Sequence, residues 1–255
     1  MKLNVVPPRT GLAWVKLGIR TFFRQPLALA GLFFMYMAAV LLLTQIPVVG
    51  SLAAGLLVPA ATLGLMAATA EASRGRFPMP TVLVSAFRAG RQRVVSMLVL
   101  GVVYTVASVL ATTIASLLTG GGAAAATDNQ PDASLLVTLL LHAPLFLTFW
   151  HAPALVHWHG ITPAKSLFFS TVACWKNLGA LLVFGLGWMG VFLAVGTVLG
   201  LLAGLLGGGT VVRGVMLPAA LLMAAMFTCS IYFTFRDSFT ADEAAALSHP
   251  DGASP

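Results

Sequence analysis

The chain has 255 residues, of which 59% are hydrophobic and only 8% charged, and its formal net charge is +7. A soluble domain carries roughly 25% charged residues, so a mean hydropathy of +0.96 excludes an ordinary soluble enzyme and points to a membrane protein. A pI near 10.1 would suit a nucleic-acid binder, but no soluble basic domain fits between the apolar stretches, so no nucleic-acid partner is expected.

A bilayer core of ~30 Å needs about 20 apolar residues per helix. The apolar stretches predict six transmembrane helices, at 26–47, 51–72, 94–118, 134–158, 178–206 and 212–235. The alternating ten-residue strands of a barrel do not occur. The expected fold is therefore all-α and polytopic, with residues 1–240 forming one membrane domain and 241–255 a disordered cytoplasmic tail. The first stretch begins late, has full length and ends without a small-residue cleavage site, so it reads as a signal-anchor.

Charge orients these spans. Lys2, Arg9, Lys16, Arg20 and Arg24 precede the first; Arg74, Arg76, Arg88, Arg91 and Arg93 lie between the second and third. Lys165 and Lys176 follow the fourth, and Arg236 ends the sixth, leaving Arg213 alone on the other side. The positive-inside rule places both termini in the cytoplasm. The opposite side receives the turn at 47–50, a Gly/Ala-rich loop with Asp128 and Asp132, and the Gly207–Gly209 turn. Cys174 and Cys229 fall toward the cytoplasmic half and read as reduced packing residues.

One unit recurs three times, at about 10–73, 80–158 and 163–236: a basic amphipathic helix, an outgoing span, an outer connection and a returning span. Lys16, Arg20 and Arg24 form the first polar stripe, Arg88, Arg91 and Gln92 the second, and Lys165 with Lys176 the third. The segments starting near Trp14, Pro80 and Pro163 are expected to be helices lying at the cytoplasmic interface. Among the returning spans, Pro59 matches Pro218, and the fourth span offers Pro144 or Pro153 as the equivalent. Small-residue stripes occur at Ala60, Gly64, Ala68 and Ala72, at Ser108, Thr112, Ser116 and Gly120, and at Gly196, Gly200, Gly204 and Gly208. They predict close helix packing, mostly within the chain, with a homodimer seam as the lesser alternative.

No Asp, Glu, Lys or Arg lies deep in a span, which argues against ion-coupled transport. Glu71 ends the second span and is expected to pair with Arg74 or meet solvent. The densest polar group is His142, His151, His157 and His159 with Trp150 and Trp158. The spacing puts these imidazoles on different faces, and no nearby Cys or carboxylate completes a metal shell. His151 and Asn177 remain as an intramembrane polar site, although Asn177 also suits a helix cap. No catalytic signature is present, so neither enzyme activity nor a cofactor is expected.

Several motifs carry a resemblance. Met1-Lys2-Leu3-Asn4-Val5-Val6-Pro7, Phe33-Phe34-Met35, Pro78-Met79-Pro80 and Phe87-Arg88-Ala89-Gly90-Arg91 are among them. So are Ala152-Pro153-Ala154-Leu155-Val156, Pro163-Ala164-Lys165-Ser166 and Ala173-Cys174-Trp175-Lys176-Asn177. Together they resemble an uncharacterised family of proteobacterial inner-membrane proteins along nearly the whole chain. The last stretch is also similar to the YciC-like group and to the membrane domain of glycerophosphoryl diester phosphodiesterases. The resemblance implies six spans and a bacterial inner membrane, and no catalytic residue.

The sequence thus suggests a non-enzymatic inner-membrane protein that binds anionic lipid or organises an envelope complex with a protein partner. Arg20, Arg24, Arg88, Arg91, Arg93, Lys165 and Lys176 are the expected lipid contacts. The alternative is a permease or channel for a small neutral or amphipathic solute.

Overall fold

The computed structural model describes residues 2–119, 133–205 and 209–240. The loop with Asp128 and Asp132, Gly120, Gly207 and Gly208, and the tail from 241 lie outside the described residues, as does the side chain of Arg213. The chain runs β1 (Lys2–Leu3), α1 (Thr10–Arg24), α2 (Pro26–Thr44), α3 (Val49–Ser73), a 3-10 segment (Pro80–Phe87) and α4 (Arg91–Leu118). It continues through α5 (Ala133–Phe149), α6 (Ala152–His159), α7 (Pro163–Lys176), α8 (Leu178–Leu205), α9 (Gly209–Ser238) and β2 (Phe239–Thr240).

Six apolar spans result, at Pro26–Thr44, Val49–Ser73, Arg91–Leu118, Ser134–His159, Leu178–Leu205 and Gly214–Ser238. An α-helix satisfies its own backbone hydrogen bonds, which a bilayer demands of anything crossing it. The protein is an all-α polytopic membrane protein. Among the described residues the β elements amount to one short antiparallel pairing, Lys2 with Thr240 and Leu3 with Phe239.

The basic segments dock in a consistent pattern. α1 packs chiefly on α9 and α8, the 3-10 segment on α3, and α7 on α5 and α6. Each segment thus rests on the returning helix of the preceding unit, and the first rests on the last. α1 buries Gly11, Trp14, Val15, Gly18, Thr21 and Phe22, the stripe of an amphipathic helix, and leaves Lys16, Arg20 and Arg24 exposed.

Two local expectations need correction. The segment at Pro80–Phe87 is 3-10 and not α-helical. Thr81, Val82, Val84 and Ser85 are weak helix formers in a short segment, and Gly90, at φ 93, turns the chain sharply into α4. The fourth span is also not one helix. It breaks at Trp150 and His151, and Pro153 starts α6, whereas Pro144 lies inside α5 as Pro59 lies inside α3 and Pro218 inside α9. Pro144 is therefore the equivalent of the other two.

The break is bridged by α7. The Ser170 hydroxyl accepts from the His151 N–H at 3.0 Å and donates to the Leu147 carbonyl at 3.2 Å. The Cys174 thiol reaches the same carbonyl at 3.4 Å. These contacts supply partners that an interrupted helix ladder lacks.

The small-residue stripes divide into two kinds. Ala60, Gly64, Ala68 and Ala72 are buried inside the protein. A Cβ on Gly64 would stand 2.8 Å from the Leu83 Cα, and one on Gly18 only 2.5 Å from the Ser230 Cβ. Around Gly196, Gly200 and Gly204, by contrast, no described atom comes within 4 Å of an added Cβ. Gly18→Leu should therefore push α1 off α9 and lower stability by about 1–3 kcal/mol, the usual cost of overpacking. Gly196→Ala should not lower it, since the added Cβ meets nothing and alanine is the better helix former. Thermal unfolding of both variants in the same detergent checks the contrast.

Candidate functional site

The alternating course of the spans brings α1, the 3-10 segment, α7 and the basic ends of the other helices to one end of the bundle. There Arg20 and Arg24 of α1 meet Arg74, which follows α3, and Arg236, near the end of α9. With Leu17, Thr21, Ser73, Tyr232 and Phe233 these four arginines line a recess of about 470 Å³. Arg24 is anchored by donating to the Ser73 carbonyl at 3.1 Å. Arg236 stacks over Phe233 at 4.9 Å from the ring centroid.

Among the described residues the acids at this end are Glu71 and Asp237, and each holds one arginine. Glu71 pairs with Arg76 in a two-toothed contact at 2.6 and 2.8 Å. Its partner is therefore not Arg74, because the chain turns at Gly75 and the Arg76 N–H itself bonds the Glu71 carbonyl. That turn leaves Arg74 facing the recess. Asp237 accepts from the Arg236 Nε at 2.8 Å and, with its other oxygen, from the Trp14 indole at 2.9 Å.

A second recess of about 390 Å³ lies beside the start of α4. Thr81, Ser85, Arg88, Arg93 and His157 line it together with Val82 and Ala89. The expected lipid contacts thus fall into two described groups, Arg20 with Arg24 and Arg88 with Arg93. Arg91, Lys165 and Lys176 are exposed but line neither recess. Sequence reasoning missed Arg74 and Arg236. Both had served to set topology, and their position at the ends of returning spans was the signal that they share the basic end.

His151 and Asn177 are both buried, but they stand in different surroundings. His151 lies against the rings of Phe235 and Phe239, at centroid distances of 5.9 and 5.5 Å, and its Nδ1 has no hydrogen-bond partner. Asn177 joins three parts of the chain. Its Oδ1 accepts from the Val6 N–H at 2.9 Å, while its Nδ2 donates to the Asn4 carbonyl at 3.0 Å and to the Ser238 hydroxyl at 3.4 Å. It also begins α8, where Leu181 donates to its carbonyl.

His142 is elsewhere, within α5. Its Nδ1 is 2.8 Å from the Thr138 carbonyl, which can only accept, so a neutral ring carries its proton there and takes the Ser108 hydroxyl at Nε2, 3.2 Å away. Among the described residues no three His, Cys, Asp or Glu side chains come close enough to hold a metal.

Sequence comparison places this architecture. A probable inner membrane protein of Burkholderia thailandensis is 37% identical over 266 aligned residues, covering 98% of each chain. The chain belongs to the same family. It is an integral inner-membrane protein, a statement supported by its six apolar spans and by that relative's description. No family model matches it, and neither does any solved structure. The family's relative is described by location alone, so chemistry must come from the recesses themselves.

Two measurements probe these surroundings. Asn177→Leu strands the buried Val6 and Asn4 backbone groups and should lower stability by about 1–3 kcal/mol. It should also free the first residues, read as faster protease cleavage before α1 than in the wild type. Burial pushes the Cys174 thiol up to about 12, whereas an unfolded cysteine titrates near ~8.5. The unfolded chain thus loses this proton first, so Cys174 contributes full stability below pH ~8.5 and progressively less as pH rises toward 12. At neutral pH a maleimide should leave Cys174 unlabelled in the folded protein and modify it after denaturation.

Proposed function

We propose that this protein is a non-enzymatic membrane component that holds anionic lipid at its basic end, which faces the cytoplasm. The observation that carries this reading is the four-arginine recess. Arg20, Arg24, Arg74 and Arg236 converge there, and Asp237 is the sole acid bonded to any of them in the described structure. Such a concentration of cations in a recess needs counter-charge. A guanidinium offers two parallel donors to a phosphate, and each basic group near an anionic surface contributes about 1 kcal/mol. Phe23, Phe77, Phe168 and Trp175 are strongly exposed at the same end, as aromatic and apolar side chains are at a headgroup boundary. Lys165 and Lys176 extend the positive surface along α7. The same collar could serve an envelope complex by fixing lipid between this chain and a partner.

The transport alternative would centre on the crevice between α3 and α4, of about 270 Å³, lined by Ser51, Thr105, Ser108, Thr112 and Thr113. Its hydroxyl donors are largely spent. Thr105, Thr112 and Thr113 donate to carbonyls within α4, and Ser51 donates to Val48. That leaves few donors for a polar solute and favours the lipid reading.

Native mass spectrometry of the purified full chain tests the proposal. The wild type should retain phosphatidylglycerol or cardiolipin in preference to phosphatidylcholine. Arg20→Gln/Arg24→Gln/Arg74→Gln should weaken that retention by about tenfold to a hundredfold, given about 1 kcal/mol per charge and partial screening. A C-terminal reporter confirms that the variant keeps its topology. Absence of any anionic preference in the wild type would overturn the lipid reading and turn attention to the α3–α4 crevice.

A further inference from the structure

We infer that the recess beside α4 binds a terminal phosphate, a phosphomonoester, through Arg88, Arg93, Ser85, Thr81 and His157. The inference deepens the lipid reading and rests on it only for a membrane lipid as the phosphate's bearer.

Most hydroxyls on the spans find a carbonyl of their own helix, and Ser85 finds none. Thr62, Thr69 and Ser73 of α3 donate to carbonyls three or four residues earlier, and Thr105 and Thr112 of α4 do the same. The buried Ser85 Oγ has no such partner. Across the same recess His157 carries a buried Nδ1 that is also unpartnered. Buried polar atoms are almost always hydrogen-bonded; of the four exceptions among the described side chains, Gln25 Oε1, Ser85 Oγ, His151 Nδ1 and His157 Nδ1, two belong to residues that line this one recess. Arg88 and Arg93 give the charge of the shared ligand, and no carboxylate lines the recess. The start of α4 adds to this. Its first turn has neither an acidic residue nor a side-chain cap, so backbone N–H groups and the positive helix end remain available to an anion.

The same features select a terminal phosphate over a diester. A monoester carries about −1.5 to −2 charge near neutral pH and offers three acceptor oxygens. A diester carries one charge and two free oxygens. Two guanidiniums, two hydroxyls, an imidazole nitrogen and a helix terminus match the monoester. The four-arginine recess has no comparable pair of unpartnered buried atoms and serves anionic headgroups without this selectivity.

The test uses the full chain in phosphatidylcholine nanodiscs. One arm adds phosphatidic acid or phosphatidylglycerol, and the other adds soluble glycerol 3-phosphate; native mass spectrometry reads retained lipid, and ³¹P line broadening reads the soluble probe. The wild type should prefer phosphatidic acid to phosphatidylglycerol. Arg88→Gln/Arg93→Gln should reduce phosphatidic acid retention by about tenfold, while Arg20→Gln/Arg24→Gln/Arg74→Gln should keep the preference between the two lipids. Ser85→Ala and His157→Gln change no fixed charge, so they probe the site without disturbing topology, and each should narrow the preference. Binding of glycerol 3-phosphate alone, sensitive to the same variants, would assign the site to a soluble phosphoester. Equal retention of both lipids together with no binding of the soluble probe would overturn the inference. The general lipid reading would still stand if both outlasted an uncharged lipid. A preference for phosphatidic acid unaffected by all three variants would also overturn it.

Discussion

Three indole N–H groups converge on α9. Trp188 of α8 donates to the Ser230 hydroxyl at 3.0 Å, Trp150 at the helix break donates to Thr234 at 2.9 Å, and Trp14 of α1 donates to Asp237 at 2.9 Å. The three acceptors lie four and three residues apart and so share one helix face. An indole buried without a partner is costly in a medium without water. This face therefore dictates where α1, α8 and the broken fourth span must stand. The rings around it interlock edge to face, Trp14 and Trp150 each meeting Phe184, and Trp188 meeting Phe227.

The recesses follow from that arrangement. Docking of Trp14 sets α1 against the end of α9, which brings Arg20 and Arg24 toward Arg236. The same acid, Asp237, fixes an indole and an arginine, so packing and surface charge meet in one carboxylate. On the other flank, Gly64 lets the 3-10 segment lie against α3, and this sets Arg88 and Ser85 near the start of α4.

The spans and the gathering of charge were legible because both are long-range composition signals. A run of 20 apolar residues and a repeated basic flank survive any local detail. The amphipathic stripe of α1 was legible for the same reason, since Trp14, Phe22 and the opposing Lys16, Arg20 and Arg24 keep helical period. Particular partners were not. Ser230 and Thr234 look like ordinary span residues until their helix is placed beside tryptophans from distant segments. The break at Trp150 and His151 had only Pro153 as a local signal, with Pro144 as its rival, and its hydrogen bonds come from Ser170 on another helix. Arg74 and Arg76 are near neighbours with opposite fates, and only the turn at Gly75 separates them. Sequence spacing reported where charge would gather and could not say which cations would be neutralised.

The offset docking of the basic segments also has a temporal side. Translation delivers α1 first, yet the surface that receives it, on α8 and α9, emerges last. Throughout synthesis Trp14, Val15 and Phe22 must wait without their native neighbours while the intervening helices insert. The α1 segment cannot reach its final position until α8 and α9 have been made. Closure then waits on Asn177 and the Lys2–Thr240 pairing, which join the first residues to α8 and the end of α9. A polypeptide truncated before α9 would lack the surface on which α1 packs. Completion of the ring thus depends on α9 being in place.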